Sequence, residues 1–205
     1  MNWLKEWAEQ AKEVLLSPSD FYDDLDRRKN YKYPIKFAVT SGIVSAILIF
    51  IVQEIQLLAV AGFEVPAQMT GLRGLVLLLA AGVFGGTAGL LINSGFIHIF
   101  SVLFGFKGYQ KTTEAVSYPT AINALLSWIP LVNIFAFFYI LYAEVRGMEK
   151  IHGMSTGKAL ASVILGMILL AVAVFGFILV TSLFFYESLD LAAHHDTATV
   201  VEALF

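Results

Sequence analysis

Glu187, Asp190 and His194 recur at i, i+3 and i+7, with His195 and Asp196 beside them. On a continued helix the first three share a face, and carboxylates with an imidazole suit a divalent cation. So near the C-terminus, a solvated tail without bound metal is the plainer expectation. The glycine-rich run His152-Gly-Met-Ser-Thr-Gly157, flanked by Lys150 and Lys158, has the composition to touch a phosphate or a lipid headgroup. A tight capped loop is expected instead, with Ser155 or Thr156 as N-cap of the helix that follows. The remaining groups able to do chemistry lie inside apolar stretches: Asn93, Ser94, His98, Ser101, Asn123 and Asn133, with Glu114 and Glu144 at the ends of one stretch. They suit either hydrogen bonds between helices or a path for a proton or solute. A pump needs a carboxylate near mid-membrane, and these two lie at the edges, so the bonding role is favoured. No Walker-type loop, His-Glu-x-x-His or Gly-x-Ser-x-Gly occurs. No nucleophile–base pair can be named, so the expectation is a non-enzyme with no cofactor.

The elements that must position these residues follow from composition. Of 205 residues, 58% are hydrophobic and 14% charged, against roughly 45–50% and 25% in soluble domains. Thirteen Lys and Arg against sixteen Asp and Glu give a net charge of −3, too balanced for a nucleic-acid binder. Cysteine is absent, which removes disulfides and thiolate chemistry. Charge-free windows run between Lys36 and Glu54, Arg73 and Lys107, Glu114 and Glu144, and Lys158 and Glu187. About 20 helical residues cross about 30 Å of hydrocarbon, so these windows mark transmembrane helices.

The third window divides in two ways: one long helix, or two shorter ones turning at Ser127-Trp128-Ile129-Pro130. Charge arbitrates. With five spans, Lys5, Lys12, Arg27, Arg28, Lys29, Lys32, Lys36, Lys107, Lys111, Arg146, Lys150 and Lys158 share one side, and only Arg73 lies on the other. With four, Arg146, Lys150 and Lys158 move out beside Arg73. The excess of basic residues on cytoplasmic loops favours five, with the N-terminus inside and the C-terminus outside. The resulting fold class is an all-α membrane bundle of five spans behind an amphipathic head helix. Its divisions are residues 1–36 (head and basic juxtamembrane segment), 37–187 (membrane domain) and 188–205 (extracytoplasmic tail).

On a helical wheel, residues 1–16 gather Trp3, Leu4, Trp7, Ala8, Ala11, Val14 and Leu15 on one side. Such a helix packs on the protein or lies in the membrane interface, anchored by Trp3 and Trp7. In span 2, Gly82, Gly85, Gly86, Gly89 and Asn93 form a stripe about 100° wide with two small-xxx-small pairs. That stripe is expected to pack within the chain and to put span 2 at the bundle's centre, a homodimer seam being the alternative.

Several elements of residues 17–185 occur in a familiar order. Gly105 and Lys107-Gly108-Tyr109 precede a Thr/Glu-containing helix, Ser117-Tyr118-Pro119 opens the third span and Ile129-Pro130 closes it. An aromatic span ends in Gly147, and His152-Gly153-Met154-Ser155 with Lys158-Ala159 leads into the last. Upstream stand Ser17-Pro18, Phe21 and Pro34. This layout resembles the Yip family of Ypt/Rab-interacting membrane proteins, in its compact microbial form. The resemblance implies a five-span integral membrane protein. It also implies a scaffold or adaptor organising membrane partners or membrane shape, in the plasma membrane of a microbe. Eukaryotic relatives bind small prenylated GTPases with the help of a longer N-terminal domain. Here 36 residues precede span 1 and the acidic-Leu-x-Gly-Pro motif is missing, so small-GTPase binding is not expected. The expected partners are the bilayer and other membrane proteins or further copies of the chain. The alternative function is a small transporter or channel with a polar path near span 2.

Overall fold

The computed structural model describes residues 3–25, 32–59, 66 and 70–202, excepting the side chains of residue 32 and of 185–202. It divides into two units, Met1–Gly166 and Met167–Phe205. The described residues form helices α1 (Trp3–Leu16), α2 (Pro18–Asp24), α3 (Lys32–Ala59), α4 (Gly71–Phe84), α5 (Leu90–Leu103), α6 (Tyr109–Ser117), α7 (Thr120–Leu126), α8 (Pro130–His152) and α9 (Thr156–Glu202), with a π-helical turn at Gly85–Gly89 joining α4 to α5. An all-α membrane bundle is the architecture.

Among the described residues, four helical segments, not five, are long and apolar enough to cross a bilayer: Tyr33–Ala59, Gly71–Leu103, Pro130–His152 and Thr156–Phe184. The fifth span expected from the third window is instead the short pair α6 and α7. The break falls at Tyr118-Pro119: proline cannot donate to the ladder and disfavours helix before it. The amides of Ala121 and Ile122 bond three residues back, to Tyr118 and Pro119. The turn placed at 127–129 by sequence is present, and α8 starts with Pro130 in its first turn.

This pair, rather than span 2, forms the packed centre. Thr112 to Pro119 are all buried, as are Ala121, Ile122 and Ala124. Around Tyr118, which is fully buried, the rings of Phe21 and Phe37 lie with centroids at 4.8 and 5.0 Å. Span 2, expected at the centre, is largely exposed: Leu72, Val76, Phe84, Ile92 and Leu103 lie at the surface. Its glycines explain why one side suffices. A Cβ on Gly42 of α3 or on Gly82 of α4 would strike the other's backbone, and one on Gly86 would sit 2.6 Å from the Ala38 carbonyl oxygen. Gly85 and Gly89 meet nothing within 4 Å. Half the stripe is a helix–helix contact and half is open.

The head helix α1 buries Trp7, Ala11 and Val14, the middle of the apolar arc. Trp7 Nε1 donates to Ser41 Oγ at 3.0 Å and Trp3 Nε1 to Thr40 Oγ1 at 2.9 Å, which fixes α1 against the start of α3. Leu4 and Leu16 stay exposed. In α2, Pro18 occupies the first turn, where its missing N–H costs nothing. Helix α8 ends at Gly153, whose φ of 70° suits the left-handed cap. Ser155 then opens α9 through its carbonyl, which accepts from the Ala159 amide. The unit Met167–Phe205 continues α9 as an apolar helix with Phe175, Phe177 and Phe184 exposed, and its Thr181 and Ser182 hydroxyls bond back to carbonyls one turn earlier.

Candidate functional site: a buried polar layer

The buried α6 gathers polar side chains from both flanking helices. His98 of α5 and His152 at the end of α8 both reach Thr112 Oγ1, through Nδ1 at 2.9 Å and Nε2 at 3.0 Å. A hydroxyl donates once and accepts from others, so at least one of the two imidazoles donates to the threonine oxygen. Tyr109 closes the edge of His98 at 5.5 Å between ring centroids, and its hydroxyl donates to the Leu91 carbonyl at 2.5 Å. Phe106 meets His152 edge-on at 6.4 Å and carries the Lys158 ammonium over its face at 5.4 Å.

One level away, Asn93 Nδ2 approaches Glu144 Oε1 at 3.5 Å, a long contact between α5 and α8. Glu114 and Glu144 are each about 5% exposed, so both carboxylates are enclosed by protein. Tyr22 of α2 reaches in from outside the spans and donates to the Ala115 carbonyl at 2.6 Å. Gly147 makes this possible, since a Cβ there would lie 2.8 Å from the Tyr22 ring. Burial, followed by the proximity of Tyr118, Glu144 and Glu114, holds the Tyr22 phenol well above its ordinary pKa, so it stays a neutral donor. Lys150 pairs with Asp23 at 2.7 Å beside it.

Of the polar residues singled out by sequence, the structure brings Asn93 to Glu144 and His98 to Thr112 and His152. Ser94 and Ser101 are buried on α5, and Ser101 Oγ donates to the Ile97 carbonyl. Asn123 and Asn133 are exposed. Asn123 lines a groove of about 330 Å³ with Ser45, Gly82 and Gly85. Trp7, expected as an interface anchor, is about 6% exposed and engaged by Ser41; Trp3 is half-buried, with Lys36 over its ring at 4.0 Å. The side chains of Glu187, Asp190 and His194 lie outside the described residues.

Tyr22 and Thr112 escaped sequence reasoning, and Tyr118 and Gly147 entered it only through the order of elements that carries the family resemblance. Tyr118 stands before a proline inside a charge-free window, and Gly147 is a lone glycine amid aromatic and charged helix. Those were the signals available. Thr112 had none, because its role comes from two imidazoles that are distant in sequence. Chemically, the layer joins α2, α5, α6 and α8 through hydrogen bonds between buried side chains and to backbone carbonyls. No curated protein and no solved structure matches the sequence. The family model for the Yip1 domain matches residues 12–181, and the chain is therefore an integral membrane protein belonging to the Yip1 domain family.

Proposed function

We propose that this protein is a non-enzymatic scaffold or adaptor that organises membrane partners or membrane shape, with its head in the cytoplasm of a microbial cell. One observation carries the proposal. The side chains with the chemistry to act on a ligand are engaged with each other across helices, His98 and His152 through Thr112, and Asn93 with Glu144. Such bonds fix a bundle, and they leave the lipid-facing aromatic and aliphatic surface for partners. Site-specific photo-crosslinking in native membranes tests this: a discrete crosslinked partner, or a discrete crosslinked self-dimer, is expected. Specific solute flux in liposomes, abolished by His98→Ala, would contradict it. That outcome belongs to the transporter alternative, which is favoured by the two buried carboxylates, Glu114 and Glu144, close to Tyr22. Orientation rests on the distribution of basic residues. Single cysteines at Lys32 and Asp196, in a background without cysteine, should be labelled from opposite sides.

A further inference from the structure

Two contacts set the register of α8 against the second membrane helix: Asn93 meets Glu144, and His98 meets His152 through Thr112. The offsets are 51 and 54 residues, so Pro130, where α8 begins, lies level with residues 76–79. At about 1.5 Å per residue the α7–α8 turn stops roughly 8–12 Å short of Gly71. Opposite it on α3, given that Gly42 faces Gly82, stand Ser45 to Leu48, and α3 continues to Ala59, about 16–21 Å further. The groove that Asn123 lines ends on α3 at Ile49 and on α4 at Leu78, the same level.

Burial changes there too. The buried residues Phe37, Ala38 and Ser41 are followed on α3 by Ala46, the last buried residue of that helix, whereas Ile51, Ile55 and Leu58 are exposed. In α4 only Gly74 is buried, with Leu72 77% exposed. The charge-free part of α8, from Pro130 to Ala143, is about 21 Å long, too short for about 30 Å of hydrocarbon. The ion pair Lys150–Asp23 puts the end of α8 on the same face as the head. The His98–Thr112 bond puts the start of α6 there as well. The path from α6 through α8 therefore starts and finishes on one face: both limbs cross the bilayer, or neither does.

From these observations we infer that α7 and α8 form a re-entrant hairpin confined to the head-side leaflet, and that this hairpin acts as a wedge in that leaflet, so that the protein selects bilayers bulging towards its head. Among the described residues of Met1–Gly166, the head half holds α1, the start of α3, α5, α6, α7 and α8, whereas the far half holds the end of α3 and the start of α4. Extra volume in one leaflet expands it relative to the other, and insertion of this kind is sensitive to curvature. A hairpin that does not cross also keeps Arg146, Lys150 and Lys158 on the head side with the other basic residues, and only Arg73 lies beyond. The basic-residue bias is thus retained without a fifth span. The inference deepens the scaffold proposal and rests on it for its biological meaning.

The full-length protein, labelled at Asp196→Cys, can be reconstituted in giant vesicles of phosphatidylcholine with a minority of phosphatidylserine, from which outward membrane tubes are pulled. The readout is the protein-to-lipid ratio on the tube relative to the vesicle, for populations with the head outside or inside. A severalfold enrichment of head-out protein on the tube, with depletion of head-in protein, is expected. Equal ratios in tube and vesicle would overturn the wedge. Enrichment in both orientations would also overturn it, because a one-sided wedge must reverse sign. Neither result bears on crosslinking to a partner, so failure of the wedge and failure of the adaptor reading remain distinct.

Discussion

Gly85 and Gly86 are neighbours in sequence with opposite surroundings. The atoms nearest a Cβ at Gly86 are backbone, the Ala38 carbonyl oxygen at 2.6 Å and the Val39 nitrogen at 2.7 Å among them, whereas at Gly85 nothing lies within 4 Å. Backbone cannot swing aside as a side chain can, so Gly86→Ala should cost about 1–3 kcal/mol. Gly85→Ala should leave the thermal midpoint in detergent unchanged or slightly raised. Thermal unfolding of the two variants side by side checks both. A similar contrast separates Thr112 from Thr113, both fully buried. Thr112→Val removes the hydroxyl that serves two imidazoles, and the expected loss is about 1–3 kcal/mol. Thr113→Val gives up only a bond to the Tyr109 carbonyl one turn back and should lower the midpoint far less. At this scale the sequence located the glycines and most of the polar residues but could not pair them. A helical wheel cannot say which half of a stripe meets a neighbour, and Thr112 is defined by partners 14 and 40 residues away.

Among the elements, the head helix was legible because its apolar positions repeat at helical spacing. Which part of the arc turns inward was not, since Trp3, Leu4, Trp7 and Leu15 are equally apolar on a wheel. The structure selects Trp7, Ala11 and Val14 through the hydroxyl of Ser41 and the packing beneath it. Trp7→Ala should therefore destabilise by about 3–5 kcal/mol, whereas Leu16→Ala, at a side chain 66% exposed, should leave the unfolding midpoint in place. The third window was the opposite case. Its 29 residues without Asp, Glu, Lys or Arg have the same composition whether they cross the bilayer or fold into two short buried helices. The count of basic residues reports only whether the number of crossings is odd or even; it carries nothing about depth. Tyr118-Pro119 was the visible break, but its consequence depends on Phe21 and Phe37 closing over the tyrosine, and both come from elsewhere in the chain.

For the whole molecule, family and membrane class were evident in composition and motif order, because an apolar window and a proline break are local properties. The arrangement in depth was not, because it follows from contacts such as Asn93–Glu144 and Asp23–Lys150 that tie α8 to helices far away in sequence. The central claim is that the chain turns back at Ser127–Ile129 inside the bilayer. A single cysteine at Ser127, carrying a bimane fluorophore, reads that depth directly in liposomes with bromines placed at successive positions along the lipid acyl chains. A re-entrant hairpin gives strongest quenching with bromines near the chain ends, at the bilayer centre. Strongest quenching with bromines next to the headgroups would put the turn at the far surface, and both limbs of the hairpin would then cross the membrane.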